Sequence, residues 1–199
     1  MKRLSARRLA NLSVAAAVAA VIAVPVGASA VTANSSVEAA VASVINVTSS
    51  GTVNISVTPT GAGATSANAS DTVTVDSNDS DGYNLTLSSA DGTATMAGFK
   101  DDGTTSNGDS LAVTSGTYGT PAAMSDNAWG WRVDDLGTFG GSGTATYAGM
   151  PISGAAQNIR STTATASAQV TTVKYAVKVN TSKANGVYKD TVTYTATVK

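Results

Sequence analysis

The 199-residue chain has no cysteine and no histidine, and its single glutamate is Glu38. Without cysteine there is no disulfide, no thiol nucleophile and no thiol for lipid attachment, so core packing alone must hold an exported fold. Lack of histidine removes Ser-His-Asp and Cys-His catalysis and the ordinary zinc sites. One glutamate cannot supply a Glu pair for glycoside hydrolysis, although an Asp pair stays open. No glycine-rich phosphate loop follows a strand, because the glycines sit in Thr/Ser turns. These absences predict a protein that is not an enzyme, with an Asp-based hydrolase as the remote alternative.

What the chain does contain begins with an export signal. Lys2, Arg3, Arg7 and Arg8 precede an apolar run from Leu9 to Val26, and Ala28-Ser29-Ala30 follows. That order predicts a signal peptide over residues 1–30, with Ala28 and Ala30 as processing residues and Val31 as the mature N-terminus. An uncleaved membrane anchor is the alternative, but the uninterrupted part, Val14 to Val24, is short for a span of about 20 residues. Removing 30 residues leaves 169, enough for one domain, with 8 basic against 13 acidic side chains. A mildly acidic mature chain with no further apolar run predicts no nucleic-acid partner and no membrane span.

The mature chain is rich in Thr, Ser, Ala, Val, Gly and Asn, which favours strands and turns over helices. Residues 31–40 read as a loose lead. Val41 to Val47 and Val53 to Val57 alternate as two strands, the second stopped by Pro59. Thr60 to Ser70 reads as a loop. Val73 and Val75 enter, and Tyr83, Leu85 and Leu87 leave, a hairpin with an acidic tip. A strand around Thr93–Phe99 precedes a long surface excursion over about residues 100–127. Alternation returns at Ala128–Val133, a short strand is expected at Thr144–Tyr147, and a loop runs from Met150 to about Gln169. The last thirty residues read as two long strands joined by one turn at Asn185-Gly186, with Val173, Tyr175, Val177 and Val179 inward. The expected fold is all-β, an Ig-like antiparallel β-sandwich over residues 41–199 as a single domain after the signal helix.

Three places invite a ligand. Asp76, Asn78, Asp79 and Asp81 put several oxygens on one loop, which suits Ca²⁺, although Gly82 and Leu87 break the EF-hand spacing. The competing view is a tip built from Asx turns. Asp101, Asp102 and Asp109 carry the same ambiguity. Trp129 and Trp131 form either a sugar-stacking platform or, sharing a strand face with Val133, part of the core. Tyr188 is a candidate corner residue whose hydroxyl ties its turn to nearby backbone. Lys174 and Lys178 alternate with core residues, so both should face water, which argues against an isopeptide cross-link.

Three segments in order, Asp81-Gly82-Tyr83-Asn84-Leu85-Thr86-Leu87, Trp129-Gly130-Trp131 and Asn185-Gly186-Val187-Tyr188 with the Thr191–Thr197 strand, carry a resemblance. Behind a signal peptide they resemble small exported surface proteins of candidate-phylum bacteria with Gram-positive-like envelopes, and remotely the WxL cell-wall-binding domains. The resemblance implies a secreted β-sandwich at the cell surface. Tyr83-Asn84-Leu85 and Tyr194-Thr195-Ala196 stand where WxL domains carry Trp-x-Leu, so peptidoglycan binding is not carried over. The combined expectation is a non-enzymatic bacterial cell-surface structural or binding protein, with an envelope component or surface glycan as partner. The alternative is a carbohydrate-binding or Ca²⁺-dependent adhesin-like module; no other cofactor is implied.

Overall fold

The computed structural model describes residues 31–61, 63–134, 137–139 and 145–199. The expected signal helix, with Ala28 and Ala30, lies outside the described residues. Val41–Lys199 forms one compact unit. Among the described residues it holds twelve strands: β1 (Ile45–Ser49), β2 (Thr65–Ser77), β3 (Tyr83–Ser89), β4 (Met96–Phe99), β5 (Ser106–Val113), β6 (Ala122–Ala123), β7 (Ala128–Val133), β8 (Thr146–Tyr147), β9 (Gln157–Ser161), β10 (Ala166–Val179), β11 (Val187–Lys189) and β12 (Val192–Val198). Two 3₁₀ turns complete it, and among the described residues no helix is long and apolar enough to cross a membrane. The protein is all-β, as its composition predicts.

Seven strands form one sheet in the order β1-β2-β10-β7-β5-β4-β11; β12-β3-β9 form a second sheet, and β6-β8 a third. The large sheet is mixed, because β5 runs parallel to β7 through Ala112↔Ala128 and Val113↔Trp129. That pairing departs from the purely antiparallel arrangement expected. A parallel neighbour needs a crossover, and residues 114–127, carrying β6, supply it. Residues 100–127 are therefore not one surface excursion, since β5 within them sits between β4 and β7.

β10 is the strand around which this sheet is built. Val173, Tyr175, Val177 and Val179 are buried as their alternation predicts. The C-terminal hairpin, however, does not exist. One edge of β10 is taken by β2 over Thr65–Ser77 and the other by β7 over Ala128–Val133, whereas β12 pairs with β3. The other expected hairpin fails for the same kind of reason. The turn after Ser77 carries the chain from one sheet to the other, so β2 and β3 are not partners. At its end Gly82 has φ +88°, and a Cβ there would stand 2.4 Å from Thr162 O.

Pairing also makes strands where composition suggested loops. Thr65–Ser70 consists of small polar residues, yet β10 opposes it residue for residue. Gln157–Ser161, expected within a loop, pairs with β3. The first strand is Ile45–Ser49 rather than Val41–Val47, because β2 ends at Ser77 and residues 42–44 bond to the turn beyond it. Both sheets share one core, in which Val73, Val75, Tyr83, Leu85, Leu87, Trp129, Trp131, Val133 and Ile159 are buried with the β10 residues. The outer face of β10 is not a plain aqueous surface either. Ala176 is buried there with Met124 and Tyr147, and Lys174 and Lys178 pair with Asp134 and Asp126 at 2.9 and 2.6 Å.

Candidate functional site

The acidic turn acts as a clamp. The Oδ1 of Asn78 accepts the Val44 N–H at 2.7 Å, and its Nδ2 donates to Ala42 O at 2.9 Å. Ser43 Oγ donates to Asp79 Oδ2 at 2.8 Å, while Asp79 Oδ1 accepts the Asp81 N–H. These donors, the Ser43 hydroxyl first, hold the Asp79 carboxyl below its ordinary range. Asp76 points elsewhere and accepts the Ala168 N–H at 2.6 Å, bracing a bulge where Ala168 sits at φ +45°. The four residues thus do not converge as Ca²⁺ ligands, and no cluster of three acidic groups suited to a metal exists among the described residues. Their oxygens instead hold residues 42–44 on the line of β1, past the last residue of β2.

The second acidic group is likewise architectural. Asp102 accepts the N–H groups of Thr104 and Thr105, which lower it to about 2. Asp109 accepts Lys183 Nζ at 2.7 Å and the Ala184 N–H at 3.1 Å, and Lys183 chiefly holds it down at about 2. Tyr188 is the corner residue that the sequence suggested, its hydroxyl donating to Ala184 O at 2.8 Å. The Asp109 and Tyr188 bonds together seat the turn before β11 on β5.

Trp129 and Trp131 are both enclosed, at 2% and 0% exposure, and their Nε1 atoms donate to Ala94 O and Gly149 O. Neither offers a face to a sugar. Sequence reasoning missed the group beside them. Arg132 is 1% exposed, donates to Asp134 Oδ1 at 2.6 Å and lies near the rings of Phe139 and Tyr147. Only a strand covered on both faces buries such a side chain, and alternation alone does not reveal that second cover.

A different kind of site lies along β2. Thr72 donates its N–H to Ser50 Oγ and accepts the Ser50 N–H at its carbonyl, so its backbone points to the β1 edge. Ser66, Asn68 and Ser70 share its parity and aim their N–H and C=O groups at the same edge. The pairing of β1 with β2 nevertheless stops at Ser49↔Val73. The chain turns away at Gly51, at φ +97°, while the buried Asp71 carboxylate holds the Ser50 N–H at 2.9 Å. Thr52–Pro59 was expected to be a strand. Val53, Ile55 and Val57 do pack against the core in alternation, but among the described residues nothing bonds to this segment's backbone. Clefts of about 490 and 400 Å³ flank it. In the larger cleft, Asp190 Oδ2 is buried without a hydrogen-bond partner among the described residues, and burial raises this carboxyl.

Asp109 and Asp190 should therefore answer pH in opposite directions. Asp109 ionises near 2 in the fold against an ordinary 3.8, so its stabilisation is complete above about pH 4 and is lost as pH falls toward 2. Asp190 binds its proton more tightly when folded, so its ionisation opposes folding as pH rises above 3.8. Urea titrations should show Asp109→Asn below the parent at pH 6, with the gap closing toward pH 2. Asp190→Asn should lie above the parent at pH 6. Parallel pH profiles for parent and variants would contradict both assignments.

No protein-family model matches the chain, and no curated protein matches it. A solved structure of a chaperone–tip adhesin complex of CFA/I fimbriae aligns with 78% of this chain and 41% of that one, at 15% identity and a TM-score of 0.45. At that distance the alignment says nothing about function.

Proposed function

We propose that this chain is an exported, non-enzymatic structural or binding protein of the bacterial cell surface, built on an Ig-like β-sandwich. One observation carries the reading. Six carboxylates, Asp71, Asp76, Asp79, Asp102, Asp109 and Asp134, are engaged in bonds that shape turns, strands and the core, and Asp190, with one oxygen unpartnered among the described residues, is an exception. Catalysis needs a group whose proton or lone pair is free to act on a substrate, and these six are committed to structural hydrogen bonds and ion pairs. The Ca²⁺-dependent and sugar-stacking reading draws no support from the acidic turn or from the enclosed indoles.

A membrane-impermeant amine reagent applied to intact cells of the source bacterium tests this. Lys100 and Lys189 are exposed, so the protein should be labelled before lysis and recovered from the envelope or the medium. Labelling that appears only after lysis would overturn the reading.

A further inference from the structure

We infer that the unpaired edge of β2 receives, as an added strand, the N-terminal lead of a second copy of this chain, so that copies join head to tail. Within the surface-protein reading, this names the partner.

The receiving side is the edge at Ser66, Asn68 and Ser70. β2 has 13 residues and β1 only 5, so among the described residues the edge beyond β1 lacks a ladder partner for about 20 Å. Unpaired N–H and C=O groups in such a row are a template for another strand. The outward side chains of this edge, Ser66, Asn68, Ser70 and Thr72, carry no charge, and the inward carboxylate of Asp71 is occupied by Ser50. Thr52–Pro59, which runs back toward the start of β2, forms no backbone bond among the described residues that an incoming strand would have to break.

The donating side is the lead. Val37, Ala39, Val41 and Ser43 fall in the same phase as Ile45 and Val47, the inward residues of β1. The apolar stripe of β1 thus continues upstream, where Val37 and Val41 are 93% and 84% exposed. Over residues 31–44 the only charge is Glu38, so the lead matches an uncharged edge. It is long enough, because six or seven extended residues cover the vacant stretch.

Direction selects a second molecule. Asn78 and Asp79 hold residues 42–44 in line with β1 beyond the end of β2, whereas the vacant edge lies at the start of β2. That line, followed upstream through residue 42, points away from the vacant edge of the same copy. Placed antiparallel to β2 in another copy, the lead repeats the polarity of β1 and leaves that copy's own lead free. Such a contact is heterologous and open-ended, so it propagates as a filament.

Complementary variants test this by sedimentation of the processed protein across concentration. Asn68→Pro removes an outward N–H but no bond to β10, so the edge is blocked while its ladder stays. Val37→Asp with Val41→Asp charges the lead at two exposed positions. The parent should form a concentration-dependent series of oligomers, and each variant alone should be monomeric. Mixed in equal amounts, they should give a dimer and nothing larger, because one retains a lead and the other an edge. If Asn68→Pro fails to fold, the lead variant titrated into parent should still shorten oligomers by capping their growing end. A parent that stays monomeric at high concentration, or a lead variant that assembles like the parent, would overturn the inference. Surface labelling of a monomer would leave the function proposed above standing.

Discussion

Replacing Trp131 with alanine should cost the fold about 3–5 kcal/mol, as truncation of a fully buried large aromatic does. Its ring lies parallel to that of Tyr118, 6.0 Å away, and meets Phe139 edge-on at 5.4 Å. Its backbone bridges to Ala148 in both directions, and its Nε1 donates to Gly149 O at 3.0 Å. Alanine would remove the two ring contacts, leave a cavity that backbone-fixed neighbours cannot fill, and strand the Gly149 carbonyl. Trp131→Phe should cost less, because most of the volume remains and only the hydrogen bond is lost. Urea titration gives both values. A loss for Trp131→Ala within about 0.5 kcal/mol would be the behaviour of an exposed binding platform, and would contradict its place in the core.

Alternation was readable wherever a strand has one wet face or lies between two covered ones. The buried set on β10 and the inward residues of β7 follow directly from a period of two. Partners were not readable, because alternation carries no information about which edge meets which. The strand leaving Asn185-Gly186 therefore looked like the partner of β10, although Gly186 serves a different purpose. At φ +140°, a Cβ there would stand 1.9 Å from Phe99 O, so this glycine lets the chain press against the end of β4 before β11 pairs with that strand. Thr65–Ser70 shows the opposite failure. Its residues have little strand preference, and only the long apolar register of β10 opposite makes them a strand.

The acidic residues were legible as turn formers but not as fasteners. Asx-type spacing predicts that Asp79 accepts the Asp81 N–H, and it does. Nothing local indicates that Asn78 and Asp79 also reach 34–36 residues upstream to fix the chain before β1. The vacant edge of β2 could not be seen at all, because it exists only where β1 ends earlier than its neighbour. The lead looked merely loose, since its stripe of Val37, Ala39 and Val41 gains meaning only beside such an edge.

Asp134→Ala should destabilise the fold by about 3 kcal/mol, more than Arg132→Met despite the smaller side chain removed. The guanidinium of Arg132 is 1% exposed, and a buried charge is tolerable only while it is paired and hydrogen-bonded. Asp134 supplies the opposite charge at 2.6 Å and holds Lys174 at 2.9 Å, and those two cations, Lys174 first, keep its carboxyl lowered. Alanine would take away the opposite charge at 2.6 Å, and the neutral acceptors Thr146 O and Phe139 O do not replace it. Arg132→Met removes the charge together with its desolvation cost, keeps much of the packing against Phe139 and Tyr147, and leaves Asp134 paired with Lys174. The loss should then be about 1–2 kcal/mol, mainly from the lost guanidinium hydrogen bonds to Thr146 O and Phe139 O. In the double variant the penalty of Asp134→Ala should largely disappear, because no buried cation remains to be stranded. A double-mutant cycle in urea reads this coupling directly. Strict additivity of the two losses would mean that Asp134 does not compensate the buried charge of Arg132.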